Sequence, residues 1–120
     1  MCRLRIAIVD DDRALLRSME IVLRAEGHEV VSFDDPVDAH FFLHRNPPVD
    51  VLIVDYLMPG FTGEELLRLA RGEAGGVRAG KVIMITGHSE FARGLDMEAL
   101  GVNELLVKPL DLDRLCEVVR

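Results

Sequence analysis

The chain has 120 residues, 49% of them apolar, and a formal net charge of −7. That length suits one domain able to bury its own core. The acidic balance argues against nucleic-acid binding by this segment, and no apolar run approaches the roughly 18 residues needed to cross a bilayer.

The first strand is predicted over 4–9, where Ile6-Ala7-Ile8-Val9 stops at Asp10-Asp11-Asp12. Arg3 and Arg5 precede the apolar stretch, but it is too short for a signal peptide, so a soluble cytoplasmic protein is expected. A helix follows over 12–25, with Leu15, Met19, Val22 and Leu23 at helical spacing and Gly27 as its stop. The second strand, 29–33, is short and polar-tipped, which suits a sheet edge. Asp35-Pro36 reads as a cap and first helical position, and the second helix runs to Arg45 before Pro47-Pro48 forbids more.

The third strand, 49–54, is apolar without alternation, the pattern of a central strand buried on both faces. It stops at Asp55. Pro59-Gly60-Phe61 makes a turn, and Thr62 with Glu65 forms a capping box for the third helix. Gly72 to Gly80 reads as a mobile, glycine-rich loop. The fourth strand, 81–85, stops at Thr86. A fourth helix over 90–100 is weakened by Gly94, at a cost of roughly 1 kcal/mol against alanine. The fifth strand, 104–107, stops at Lys108-Pro109, and Asp111 caps a last helix cut off at Arg120. Strand and helix alternate throughout, which favours a parallel α/β sheet in a single domain over 1–120.

In an open parallel sheet the C-terminal strand ends share the edge where ligands bind. That edge would collect Asp10, Asp11, Asp55, Thr86 and Lys108. Adjacent carboxylates repel by roughly 4 kcal/mol per pair at 4 Å and an effective dielectric near 20. Either some stay protonated or a cation sits among them. Oxygen-only ligands favour Mg²⁺ or Mn²⁺. An Asp-rich helix start is the plain alternative; it accounts for Asp12 better than for Asp10 and Asp11. Asp55 has the chemistry of a nucleophile toward phosphorus, Lys108 is a fixed positive group, and Thr86 offers a hydroxyl beside the open space of Gly87.

These marks together, Ile8-Val9-Asp10-Asp11-Asp12, Val54-Asp55-Tyr56-Leu57-Met58-Pro59-Gly60, Ile85-Thr86-Gly87 and Val107-Lys108-Pro109, resemble the receiver domain of bacterial two-component response regulators over essentially the whole chain. The resemblance implies a flavodoxin-like, doubly wound five-stranded parallel sheet in the order 2-1-3-4-5. It implies Asp55 as phosphoacceptor, Asp11 and Asp55 as direct Mg²⁺ ligands with the Leu57 backbone carbonyl, and Asp10 holding a metal-bound water. Lys108 would contact the phosphoryl group, Thr86 would be the switch hydroxyl, and the Lys108–Pro109 peptide would be cis. The implied donor is a sensor histidine kinase or histidine phosphotransfer protein. The implied output partner, or a phosphorylation-dependent dimer, meets the face from Glu90 to Arg120. Such a domain is a phosphoacceptor that assists its own phosphotransfer and autodephosphorylation, not an enzyme with a separate substrate.

The chain departs from the family in carrying Leu105 where an aromatic residue is usual, and Leu57 and His88 at positions that tune access of the hydrolytic water. Two rivals stand beside the switch. One is a receiver-like binding module that is never phosphorylated. The other is a haloacid-dehalogenase-type phosphatase using Asp10 and Asp12, against which Ala14 and the short chain count. His40 and His44 share a zinc-compatible i, i+4 spacing but lack a third ligand, so they read as a surface pair beside a core face of Phe41-Phe42-Leu43. Cys2 and Cys116 lack CxxC spacing and read as reduced thiols.

Overall fold

The apolar runs lie side by side in one parallel sheet. The structure is a computed structural model and describes residues 3–70, 79–87 and 96–120. Its elements are β1 (Arg5–Val9), α1 (Arg13–Ala25), β2 (Glu29–Phe33), α2 (Pro36–Arg45), β3 (Val49–Asp55), β4 (Leu57–Met58), β5 (Phe61–Thr62), α3 (Gly63–Ala70), β6 (Ala79–Thr86), α4 (Met97–Leu100), β7 (Glu104–Val107) and α5 (Leu112–Val119). The five long strands follow the order β2-β1-β3-β6-β7, all parallel, which is the expected 2-1-3-4-5. β3 is central, and β2 sits at an edge.

Successive strand residues point to opposite faces, so each strand feeds two cores. Ala7, Val9, Leu52, Val54, Val82 and Met84 pack with Ala39 and Leu43 of α2, Leu66 and Leu67 of α3 and Leu100 of α4. Ile6, Ile8, Val51, Ile53, Ile83 and Ile85 pack with Leu16, Met19 and Leu23 of α1 and Leu115, Val118 and Val119 of α5. Hence no polar alternation is seen in β3: both of its faces are covered.

The caps work as predicted. Asp12 Oδ1 accepts from the Ala14 and Leu15 amides, both at 3.1 Å, so α1 begins one residue later than expected. Asp35 accepts from Val37, Asp111 from Asp113 and Arg114, and Thr62 and Glu65 close their reciprocal box at 3.1 Å. β6 starts at Ala79, inside the predicted loop, because Ala79 pairs with Val49 of β3. The rest of that loop, most of the predicted fourth helix with Gly94, and also Cys2 and His88 lie outside the described residues. A two-stranded hairpin, β4 with β5, surrounds the predicted Pro59-Gly60-Phe61 turn; Gly60 takes φ +71°, which favours glycine.

Two readings change in detail. The α1 seam is Leu16, Met19 and Leu23, with Leu15 and Val22 only half-buried. Phe41 faces outward, 49% exposed, and Arg45 stacks over its ring at 5.1 Å; Phe42 and Leu43 alone serve the core there. The His40 and His44 rings lie 4.4 Å apart, but His44 Nε2 bonds the Leu69 carbonyl at 2.9 Å.

Candidate functional site

Register decides which side chains meet. Val9 of β1 pairs with Val54 of β3, so Asp10 and Asp55 emerge next to one another at the sheet edge. Asp55 pairs with Ile85 of β6, and Thr86 with Val107 of β7, so Thr86 and Lys108 follow on the same edge. The main chain fixes this edge. Asp10 N–H donates to Phe33 O at 3.1 Å, Tyr56 N–H to Ile85 O at 2.7 Å, and Lys108 N–H to Thr86 O at 2.8 Å. The Lys108–Pro109 peptide is cis.

The acids then divide their work. Asp12 turns to cap α1 and Asp11 is exposed. Asp10 is fully buried; its Oδ1 accepts from Asp12 N–H at 2.9 Å, while its Oδ2 has no hydrogen-bond partner. Oxygens of Asp10, Asp11 and Asp55 lie within 4.8 Å of one another, the one such metal-sized group among the described residues. Lys108 Nζ approaches Asp55 Oδ2 at 3.4 Å and Asp10 Oδ2 at 3.7 Å. Thr86 is buried at the end of β6. Leu57 lies on β4, two residues after Asp55, with its side chain exposed.

Electrostatics follows from that crowding. Burial, then the Asp10 charge, pushes the Asp55 carboxyl up to about 7 against the pull of Lys108. Burial also raises Asp10 above the usual carboxylate range, although the Asp12 amide and Lys108 oppose it. Burial alone would lower Lys108, but the facing Asp10 and Asp55 carboxylates outweigh it and hold the ammonium higher. One cation cannot satisfy two buried carboxylates and an exposed third. An all-oxygen donor set with an orphaned buried oxygen fits a hard divalent ion such as Mg²⁺.

Sequence reasoning missed one residue here. Gly63, the first residue of α3, is buried directly against the backbone of Asp55. The signal was available as a glycine placed inside a capping box, where a helix former would otherwise be favoured.

The family profile described as the response regulator receiver domain matches residues 6–120. The chain is 33% identical over 117 residues to the transcriptional regulatory protein FlgR of Helicobacter pylori, covering 97% of this chain and 29% of FlgR. It is 33% identical over 116 residues to the phosphate regulon regulatory protein PhoB of Rhizobium meliloti, covering 97% of this chain and 50% of PhoB. The chain thus spans about half the length or less of these curated relatives. Among solved structures it superposes with TM-score 0.79 and 28% identity on the response regulator TrrA of Thermotoga maritima, in complex with Mg²⁺–BeF, covering 96% of this chain and 95% of that one.

Proposed function

The chain belongs to the family of response regulator receiver domains, the phosphorylation-dependent switches of two-component signalling, and from that premise we propose that Asp55 is its phosphoacceptor. The observation that carries this reading is the convergence of Lys108 Nζ on Asp55 and Asp10, at 3.4 and 3.7 Å, beside a metal-sized group of acids.

In this reading a histidine kinase or phosphotransfer protein presents a phosphohistidine. An Asp55 oxygen forms the new O–P bond, the P–N bond breaks, and the electron pair returns to the imidazole, which takes a proton from solvent. Asp11, Asp55 and the Leu57 carbonyl would hold Mg²⁺ (or Mn²⁺) directly, and Asp10 would hold it through a water. Bound there, the ion would neutralise carboxylate charge and attract phosphoryl oxygens. Lys108 supplies the second positive group, already oriented by its two acids. Thr86 turns its hydroxyl toward the added oxygens and passes the change along β6 to β7. The face from Glu90 to Arg120, including α4, β7 and α5, then shifts its population toward an output partner or a second copy. The same residues assist the later loss of the phosphoryl group. The domain works in the cytoplasm; among the described residues no helix is long and apolar enough to cross a membrane.

Acetyl phosphate tests the assignment. With Mg²⁺ it should label the wild-type chain, and Asp55→Asn should abolish labelling while leaving the circular dichroism spectrum unchanged. Labelling of Asp55→Asn to the same stoichiometry overturns it. No observation favours the phosphatase or the unphosphorylated module over this reading.

A further inference from the structure

Of the glycines at tight backbone approaches, one touches the proposed phosphoacceptor itself. A Cβ built on Gly63 would lie 2.6 Å from the Asp55 carbonyl oxygen, 3.1 Å from Tyr56 Cα and 3.3 Å from the Asp55 carbonyl carbon. Real Cβ atoms essentially never come within 3.0 Å of another heavy atom. All three neighbours are main chain, so no side chain can swing away to make room. Gly63 has no left-handed φ, unlike Gly27, Gly60 and Gly101, so it is the space and not the conformation that requires glycine.

Tyr56, whose Cα faces Gly63, is held at both of its backbone polar groups. On one side Tyr56 N–H is bonded to Ile85 O of β6 at 2.7 Å. On the other, Gly63 N–H is bonded to Tyr56 O at 2.6 Å. The chain between these clamps, the β4–β5 hairpin, carries Leu57, whose carbonyl is the proposed neutral metal ligand.

We propose that Gly63 is a positioning residue: by lacking a side chain it lets the start of α3 seat against the end of β3, and so sets where the Asp55 carboxylate and the Leu57 carbonyl stand relative to Lys108 and the other acids. A displacement of tenths of an ångström at Asp55 matters because Lys108 sits 3.4 Å from its oxygen. Misplacements near 1 Å cost on the order of a hundredfold in rate. This inference rests on the reading of Asp55 as phosphoacceptor.

Gly80 supplies the matched control. A Cβ there would meet the Asp50 carbonyl oxygen at 2.9 Å, also on β3 but at the opposite end of the sheet from the acids. Gly63→Ala and Gly80→Ala should both lose stability in urea. Gly63→Ala should in addition bind Mg²⁺ about tenfold more weakly, read from the fluorescence of Tyr56, the single tyrosine, and should label on the order of tenfold to a hundredfold more slowly. Gly80→Ala should keep wild-type values for both. Equal behaviour of the two variants overturns the proposal. The wild-type protein gives a reading that does not depend on how a variant folds: the Gly63 amide resonance should move on titration with Mg²⁺ while that of Gly80 stays. A motionless Gly63 resonance overturns the proposal too. If Asp55→Asn still labels, the functional reading fails; if it does not label and Gly63→Ala matches Gly80→Ala, only the positioning role fails.

Discussion

At the scale of single residues, Asp10 stands out for being costly. It is fully buried, one of its oxygens lacks a hydrogen-bond partner, and its carboxyl is raised above the usual range. Asp55 beside it is raised to about 7, by burial first and by Asp10 second. A carboxyl raised on folding takes up protons relative to the unfolded chain, so its contribution to stability falls as pH rises from about 4 to about 7. Lys108 is raised as well, but its contribution is lost only at alkaline pH, outside that window. Urea unfolding in chelator should therefore show the protein less stable at about pH 7.5 than at about pH 5, by on the order of 3 kcal/mol from Asp55, with Asp10 acting in the same direction. Asp10→Asn should flatten the slope and stabilise the metal-free protein at the higher pH, while weakening Mg²⁺ binding. A variant less stable than wild type at that pH would show that Asp10 is paid for within the fold and not by a cation.

Among the elements, the helices depend on caps that serve no chemistry. Asp111 holds the start of α5 through the Asp113 and Arg114 amides, and Lys81 Nζ holds its end through the Val118 carbonyl at 2.8 Å. Asp111→Ala should cost about 1 kcal/mol in urea unfolding and leave acetyl phosphate labelling intact, because Leu115, Val118 and Val119 still anchor α5 to the sheet when its cap is lost. Loss of labelling in a folded Asp111→Ala protein would mean that α5 shapes the pocket directly. These caps, with the unbroken apolar runs, made the element order readable from sequence. Both kinds of signal are local: an Asp before a helical period, a Val/Ile/Leu run closed by a polar residue. The β4–β5 hairpin was not readable, because two-residue strands have no period and depend on the turn at Gly60. Phe41 misled because composition suggested a core residue, whereas the helical phase set by Ala39 and Leu43 turns it outward. Asp10, Asp11, Asp55 and Lys108 were legible as strand-end residues, but their convergence depends on the register of β1 with β3. Gly63 was missed because its role depends on a non-local backbone approach.

For the molecule as a whole, the sheet order turns scattered strand ends into one pocket. β1 beside β3 brings two buried acids together, and β7 beyond β6 brings the lysine back over them. Thr86 sits between the acids and β7, on the strand linking the pocket to the proposed output face. The chain spans about half the length or less of the curated relatives it matches. The most direct test traps the label. After treatment with acetyl phosphate and Mg²⁺, borohydride reduction converts an acyl phosphate to an alcohol, and peptide mass mapping finds the residue. The account predicts one modified residue per chain, Asp55, and none when Mg²⁺ is chelated. Modification at Asp10, Asp11 or Asp12 in place of Asp55, or at Asp55 at the same rate with the metal removed, would contradict it.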